Sequence, residues 1–481
     1  MRNSILIVLM SAAAAGGTEH YVSPAGAEGA GTLEDPWSIE FALRSPPALQ
    51  PGDTIWLRGG SYRAPAKCFQ ARLAGTETAP VVIRNHRGER ATIDGCVDYS
   101  EARHVWFWGI EFMNSDPPPP PELTQEQQDR LYELGEYRQD GLRAGPNPVK
   151  LINCIVHDMK QGNSLGGEDS EYYGNIFYRN GRPQMGGPGQ HAMYMQNEHG
   201  MVRVVDNIVG DNYHLGIHIY AERGHINGFH VEGNVVFSQH GHYNVIVGGY
   251  RYAERLTVID NITYYPASRG ADTNLRVGYG GVCLDPMIRG NLSIFGRVTL
   301  DGCIAPRFMK NHIIGAPSEL QVKWPTNLLL ATSYTFSGNT YSDLNFNPFY
   351  YLGAAYRSDN WDFSRWQTTF ALDEDSLYLS GRPRATQVIV RPNQYEGGRA
   401  NVVILNWARE ESILVDVSQI LNPGDKYELR NATAFYGAPL ATDIYDGEGT
   451  IRVASEVFAG QMPGTGPEFG LFVVRRASPE E

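Results

Sequence analysis

The chain has 481 residues, room for roughly two or three domains of ordinary size. Its 40 basic and 53 acidic residues leave a net charge of −13, which argues against broad nucleic-acid binding, because that needs a basic face to displace counterions. Hydrophobic residues make up 42%, so a large core is available and disorder is excluded as the main state. The 53 glycines imply many tight turns, which favours β architecture.

The N-terminus reads as an export signal. Arg2 gives a positive start, Ile5 to Met10 is apolar, and Ala12 to Ala15 offers small residues for cleavage. Residues 1–16 are therefore expected to be a signal peptide, and the mature protein secreted or periplasmic; a ragged terminus is the bland alternative. No later stretch reaches the roughly 18 apolar residues of a membrane span. Short strand patterns follow: Thr54 to Leu57, VVIRN from Val81, ATIDG from Ala91, and His104 to Phe112. Five prolines then precede LTQEQQDRLYELGEYRQ, where Thr124 can cap a helix. A helical insertion is expected at about residues 116–140, walling a groove or simply solvated.

The middle of the chain repeats itself. Asparagine recurs in similar words at Asn153, Asn175, Asn207, Asn234, Asn261, Asn291, Asn311 and Asn339, with gaps of 20 to 32 residues, each followed by apolar or β-branched residues. Three short strands and three turns need about that many residues per coil. Stacked coils would place these asparagines in a hydrogen-bonded ladder, so the pattern predicts an all-β parallel β-helix with structural asparagines. From Gln387 the pattern changes to alternating strands separated by turns, which predicts an antiparallel β-sandwich. The expected division is a β-helix over 20–348 and a sandwich over 350–478. Cys283 and Cys303, 20 residues apart, would stack on adjacent coils, as a disulfide or as two buried thiols.

The stretch YVSPAG…DPW…PGDTIWLRGGSY resembles the opening of secreted right-handed parallel β-helix proteins of the pectate-lyase-like superfamily. HAMYMQN, GIHIY and FHVEGNVVF look like the repeat region of such proteins, and the resemblance spans about residues 20–345. VIVRPNQYEGGRANVVILNW resembles a β-sandwich appended to them. The resemblance implies a fold shared by polysaccharide lyases, glycoside hydrolases, epimerases, esterases and tailspikes, and does not choose among them.

A site must come from one outward face. Strands between successive asparagine words align as AMYMQ, GIHIY, NVIVG, NLRVG and RVTLD. Alternation turns Met193, Met195, Ile217, Ile219, Val245, Val247, Leu275, Val277, Val298 and Leu300 inward. The outward column is then Tyr194, His218, Ile246, Arg276 and Thr299, flanked by Gln196, Tyr220, Gly248, Gly278 and Asp301, with His191 overhanging. β-Elimination on a uronate needs a cation for the carboxylate, a base for the α-proton and an acid for the leaving oxygen. Arg276 suits the first role. His218 or His191 suits the second. Tyr194 or Tyr220 suits the third, with Glu168, Gln196 and Asp301 as substrate contacts and glycines 248 and 278 keeping the groove open.

Most of the 13 histidines must nonetheless be structural or exposed, and tyrosines on such a scaffold often only stack on sugars. A hydrolase would need two carboxylates about 5–9 Å apart, for which Glu168, Asp169, Asp206, Asp211, Asp285 and Asp301 are candidates. Calcium is a candidate ligand of the same groups, although no DxDxDG-type loop occurs, so the cofactor stays open. The expected function is a carbohydrate-active protein, foremost a lyase of a uronic-acid polysaccharide. A hydrolase and a non-catalytic glycan binder are the alternatives. The expected partner is a glycan, with neither nucleic acid nor a membrane span.

Overall fold

The computed structural model describes residues 17–118, 140–181, 190–269, 272–315, 320–323, 333–343, 349–352 and 360–477, and Thr124, Glu126, Gln127 and Arg130. The expected signal segment and most of the expected helical insertion lie outside these residues.

Nearly all described elements are strands, and they stack as three parallel ladders. The first runs from Glu19–Ala27 to Thr335–Ser337. The second runs from Gly60–Gln70 through Ala91–Asp98 and Glu111–Met113 to Leu377–Leu379. The third branches from Ala91–Asp98, whose Val97 and Asp98 pair with Leu142–Arg143, which in turn pairs with Asn163–Ser164. It continues through Met193–Met195, Ile217–Ile219, Tyr243–Val247, Thr273–Val277 and Arg297–Asp301 to Leu320–Lys323. This is the predicted parallel β-helix. Its interior is one continuous apolar core that includes all ten residues assigned inward from the sequence. A short helix closes each end. Ile39–Leu43 buries Ile39, Ala42 and Leu43 against the first coil, with Ser38 Oγ accepting from the Phe41 amide. Phe363–Phe370 buries Trp366 beside Phe336 of the last first-ladder strand.

The asparagine ladder is present from Asn175 to Asn339. Each side-chain oxygen accepts from the backbone N–H and the Nδ2 of the preceding asparagine at 2.9–3.2 Å, while each Nδ2 also donates to a carbonyl. Asn339 Nδ2 ends the series on Asp373 Oδ1 at 2.7 Å. Asn153 is the exception. The slot in its coil belongs to Cys154, whose N–H donates to Asn175 Oδ1 at 2.8 Å. Asn153 sits one residue earlier, at a left-handed turn position (φ 53°) shared by Gly174, Asp206, Gly233, Asp260, Gly290, Lys310 and Gly338. Asparagine tolerates that conformation, and here its side chain reaches out to Asn393 and Glu396.

The C-terminal unit is the expected antiparallel sandwich. Its larger sheet orders Gln387–Pro392, Arg399–Leu405, Phe469–Arg476, Lys426–Asn431 and Ala441–Ile444. A two-stranded antiparallel sheet of Ser412–Asp416 and Thr450–Ala454 packs over it. Parallel pairing persists to Leu377–Leu379, so the residues beyond 350 still complete the helix before the sandwich begins at Gln387. The other face of the larger sheet lies on the second ladder, joining Val403, Leu405, Phe469, Leu471 and Val473 to Ile176, Ile208, Val235, Ile262 and Ile294. This explains why the words after each asparagine are apolar on both faces: one side meets the helix core and the other meets the sandwich.

Cys283 and Cys303 do face each other in register, but as buried free thiols. The disulfide is Cys68–Cys96, which joins adjacent coils near the N-terminus and was not anticipated.

Candidate functional site

The sandwich leaves the third ladder uncovered, and its strand register is the one deduced from the sequence. Tyr194 pairs with His218, His218 with Ile246, Ile246 with Arg276, Arg276 with Thr299, and Thr299 with Gln321. Upstream the column continues through Ser164, Arg143 and Asp98. Ile246 and Thr299 are outward yet buried, so the reactive side chains fall into two groups along the column.

The first group gathers around His218. The His218 ring lies 4.3 Å from His191, edge to face, 5.4 Å from Tyr194, and stacks on Tyr220 at 4.9 Å. Among the described residues neither ring nitrogen has a hydrogen-bond partner; Nδ1 is fully buried, so Nε2 is the one open to a ligand. Burial, then the nearby His214, lower the His218 pKa to about 3, so the ring is neutral at any ordinary pH. His191 is held neutral for the same reason, mainly by burial and then by His218 and His214. Its Nδ1 lies 3.3 Å from Nδ1 of His214. His191 is buried and packs edge to face against His218. The Tyr194 hydroxyl accepts from Gln196 Nε2 at 2.6 Å, and burial raises its pKa, so it keeps its proton. Gln196 Nε2 also reaches the Tyr220 carbonyl at 3.1 Å. Burial raises the Tyr220 phenol as well.

The second group centres on Arg276, two coils further. Its guanidinium pairs with Asp301, donates to the Tyr243 hydroxyl at 3.2 Å and lies 4.1 Å from the Tyr279 ring centroid. Lys323 approaches Asp301 at 3.6 Å. Tyr279 joins the groups, since its ring is 5.1 Å from Tyr220 and 5.4 Å from Tyr250. Beyond it opens a cavity of about 480 Å³ lined by Arg223, His225, Tyr250, Arg251 and Tyr252. Tyr250 and Tyr252 are each 55% exposed, and neither arginine enters an ion pair among the described residues.

Of the residues singled out from the sequence, His191, Tyr194, His218, Tyr220 and Gln196 converge, and Arg276 and Asp301 form the neighbouring pair. Glu168 does not join them. It is half-buried in the turn after Asn163–Ser164, where its amide donates to the Pro146 carbonyl at 3.1 Å. Gly248 and Gly278 are required by the backbone rather than by an open groove. A Cβ on Gly248 would lie 2.7 Å from Gly278 Cα, and one on Gly278 would lie 1.8 Å from the Asp301 carbonyl oxygen. Tyr243, Tyr279, His214 and His242 were missed. His242 Nδ1 lies 2.8 Å from the buried Asp272, which also binds Arg269. Their signal was present: His214 and His242 each stand four residues before a column residue. Among the described residues no three His, Cys, Asp or Glu side chains are placed to hold a metal ion.

No family model matches the chain. A 77-residue stretch is 44% identical to the pectate lyase PEL9 of Emericella nidulans, covering 16% of this chain and 18% of that protein. The chain thus spans less than a fifth of the length of the curated relative it matches. Similar solved structures include pectate lyase Pel9A, at 14% identity and a TM-score of 0.44, covering 63% of this chain and 77% of that one. A complex of XylC with xylose is 11% identical with a TM-score of 0.41, covering 95% and 99%. Among the described residues no helix is long and apolar enough to cross a membrane.

Proposed function

We propose that the chain is a secreted or periplasmic carbohydrate-active protein that cleaves a uronic-acid polysaccharide by β-elimination along the third ladder. The observation that carries the reading is the pairing of an unbonded, neutral His218 with a protonated Tyr194 on one outward column, with Arg276 two coils away. His218 Nε2 takes the C5 proton. The C5–H electrons form the C4–C5 double bond, the C4–O4 bond breaks, and Tyr194 gives its proton to O4. The arriving carboxylate raises the proton affinity of His218, because a nearby negative charge favours imidazolium. Coils are spaced by about 4.8 Å, so Arg276 lies about 10 Å from His218 and meets the carboxylate of a neighbouring sugar. Asp301 holds the guanidinium in place. The Cys68–Cys96 disulfide supports an oxidising compartment.

The test is incubation with alginate, pectate and glycosaminoglycans, monitored by the absorbance of unsaturated products. New reducing ends without that absorbance would make the chain a hydrolase. Binding without cleavage would make it a glycan-binding protein.

A further inference from the structure

Resting on the elimination reading, we infer that this groove performs syn elimination, and that its substrate carries uronates whose C5 hydrogen and O4 lie on the same ring face. Glucuronate and mannuronate have that configuration. Galacturonate, the C4 epimer of glucuronate, and guluronate, the C5 epimer of mannuronate, do not.

The geometry leads there directly. Anti elimination needs the base on one side of the sugar ring and the acid on the other, with the ring between them. Tyr194 and His218 are register partners on adjacent parallel strands and project from the same face of one sheet. Their ring centroids are 5.4 Å apart. A sugar between them would need two van der Waals contacts of about 3.5–4 Å each, at least about 7 Å in all. Neither side chain is free to swing aside. His218 is clamped by His191 at 4.3 Å and by Tyr220, stacked at 4.9 Å. Tyr194 is tethered through its hydroxyl to Gln196. A chain laid along the column therefore presents one ring face to both groups, and the proton and the leaving oxygen must depart from that face. Taking His191 in place of His218 as the base changes nothing, because its ring centroid is likewise only 5.6 Å from that of Tyr194.

The full chain is tested against four homopolymers: polymannuronate, β-1,4-glucuronan, polyguluronate and polygalacturonate. The readout is the initial rate of unsaturated product. Mannuronan or glucuronan should be cleaved at least about 100-fold faster than polyguluronate and polygalacturonate, the scale of one lost acid–base contribution. Comparable or faster cleavage of either trans-configured polymer overturns the syn assignment while leaving the elimination intact. Absence of unsaturated product from all four and from the glycosaminoglycans overturns both. In Tyr194→Phe, kcat on the preferred polymer should fall by about 100-fold with KM little changed. Unchanged kcat would remove Tyr194 as the acid and the stereochemical assignment with it.

Discussion

Replacing Asn234 with alanine tests the asparagine ladder as the element that fixes coil geometry. Asn234 is fully buried. Its oxygen accepts from the N–H of Asn207 at 3.0 Å and from the Asn207 Nδ2 at 2.9 Å, and its own Nδ2 donates to the Val204 carbonyl at 2.8 Å and to Asn261 Oδ1 at 2.9 Å. Truncation orphans two buried donors on Asn207, each costing about 1–3 kcal/mol, so the variant should lose about 2–6 kcal/mol. Asn153→Ala is the control. Its side chain binds the partly exposed Asn393 and Glu396 and no ladder partner, so the lost hydrogen bonds and the strain of alanine at φ 53° together should cost about 1.5–3 kcal/mol. Urea unfolding followed by far-ultraviolet circular dichroism measures both. A loss below about 1 kcal/mol for Asn234→Ala, or a larger loss for Asn153→Ala, would refute the assignment of the ladder.

Acid should destabilise the protein through its buried neutral imidazoles. Burial depresses His218 to about 3 and His312 to about 4, so the unfolded chain binds the extra protons and stability is lost as pH falls from about 6.5. His157, raised despite its burial by Asp158 and Glu111, opposes this trend. His312→Gln should flatten the fall in urea midpoint between pH 6.5 and 4, and an unchanged slope would contradict the burial argument. Arg276→Lys keeps the charge but loses the fork shared by Asp301 and Tyr243, so KM for an acidic polymer should rise with Tm nearly unchanged. Peptide mapping without reductant should recover Cys283 and Cys303 as thiols and Cys68 joined to Cys96. Cys68→Ser should cost about 3–4 kcal/mol, from closure of a loop with a sequence separation of 28.

The third ladder was legible because its strands obey strict alternation. Met193, Ile217, Val245 and Leu275 line the core while Tyr194, His218 and Arg276 turn out, so period two alone gave the register. The second ladder was legible as a repeat but not as a docking face, since an apolar word such as GNVVF does not reveal that a sandwich lies on its outer side. Asn153 misled because turn and ladder positions are adjacent and asparagine suits both. The Arg276–Asp301 pair and the histidines around His218 depend on how side chains lean between coils, which strand alternation does not encode. Glu168 lies in a turn, where strand alternation does not say which way a side chain points.

The docked sandwich alters the mechanics of the stack beneath it. In a simple solenoid each coil feels only its neighbours, so the stack can bend or fray one coil at a time. Here Arg391 grips Asp206, Tyr395 grips Glu171, Asn401 donates to the Asp206 carbonyl and Glu468 receives the Tyr264 hydroxyl. One rigid sheet thus holds coils far apart in sequence at a fixed axial spacing, as a splint holds a spring. Under the proposed function, the face that the sandwich leaves free would act as a ruler, with the interval from Tyr194 to Arg276 set by a body packed on another ladder. A polymer whose repeat matched that interval would engage both ends at once, and a splinted helix would not stretch to suit one that did not.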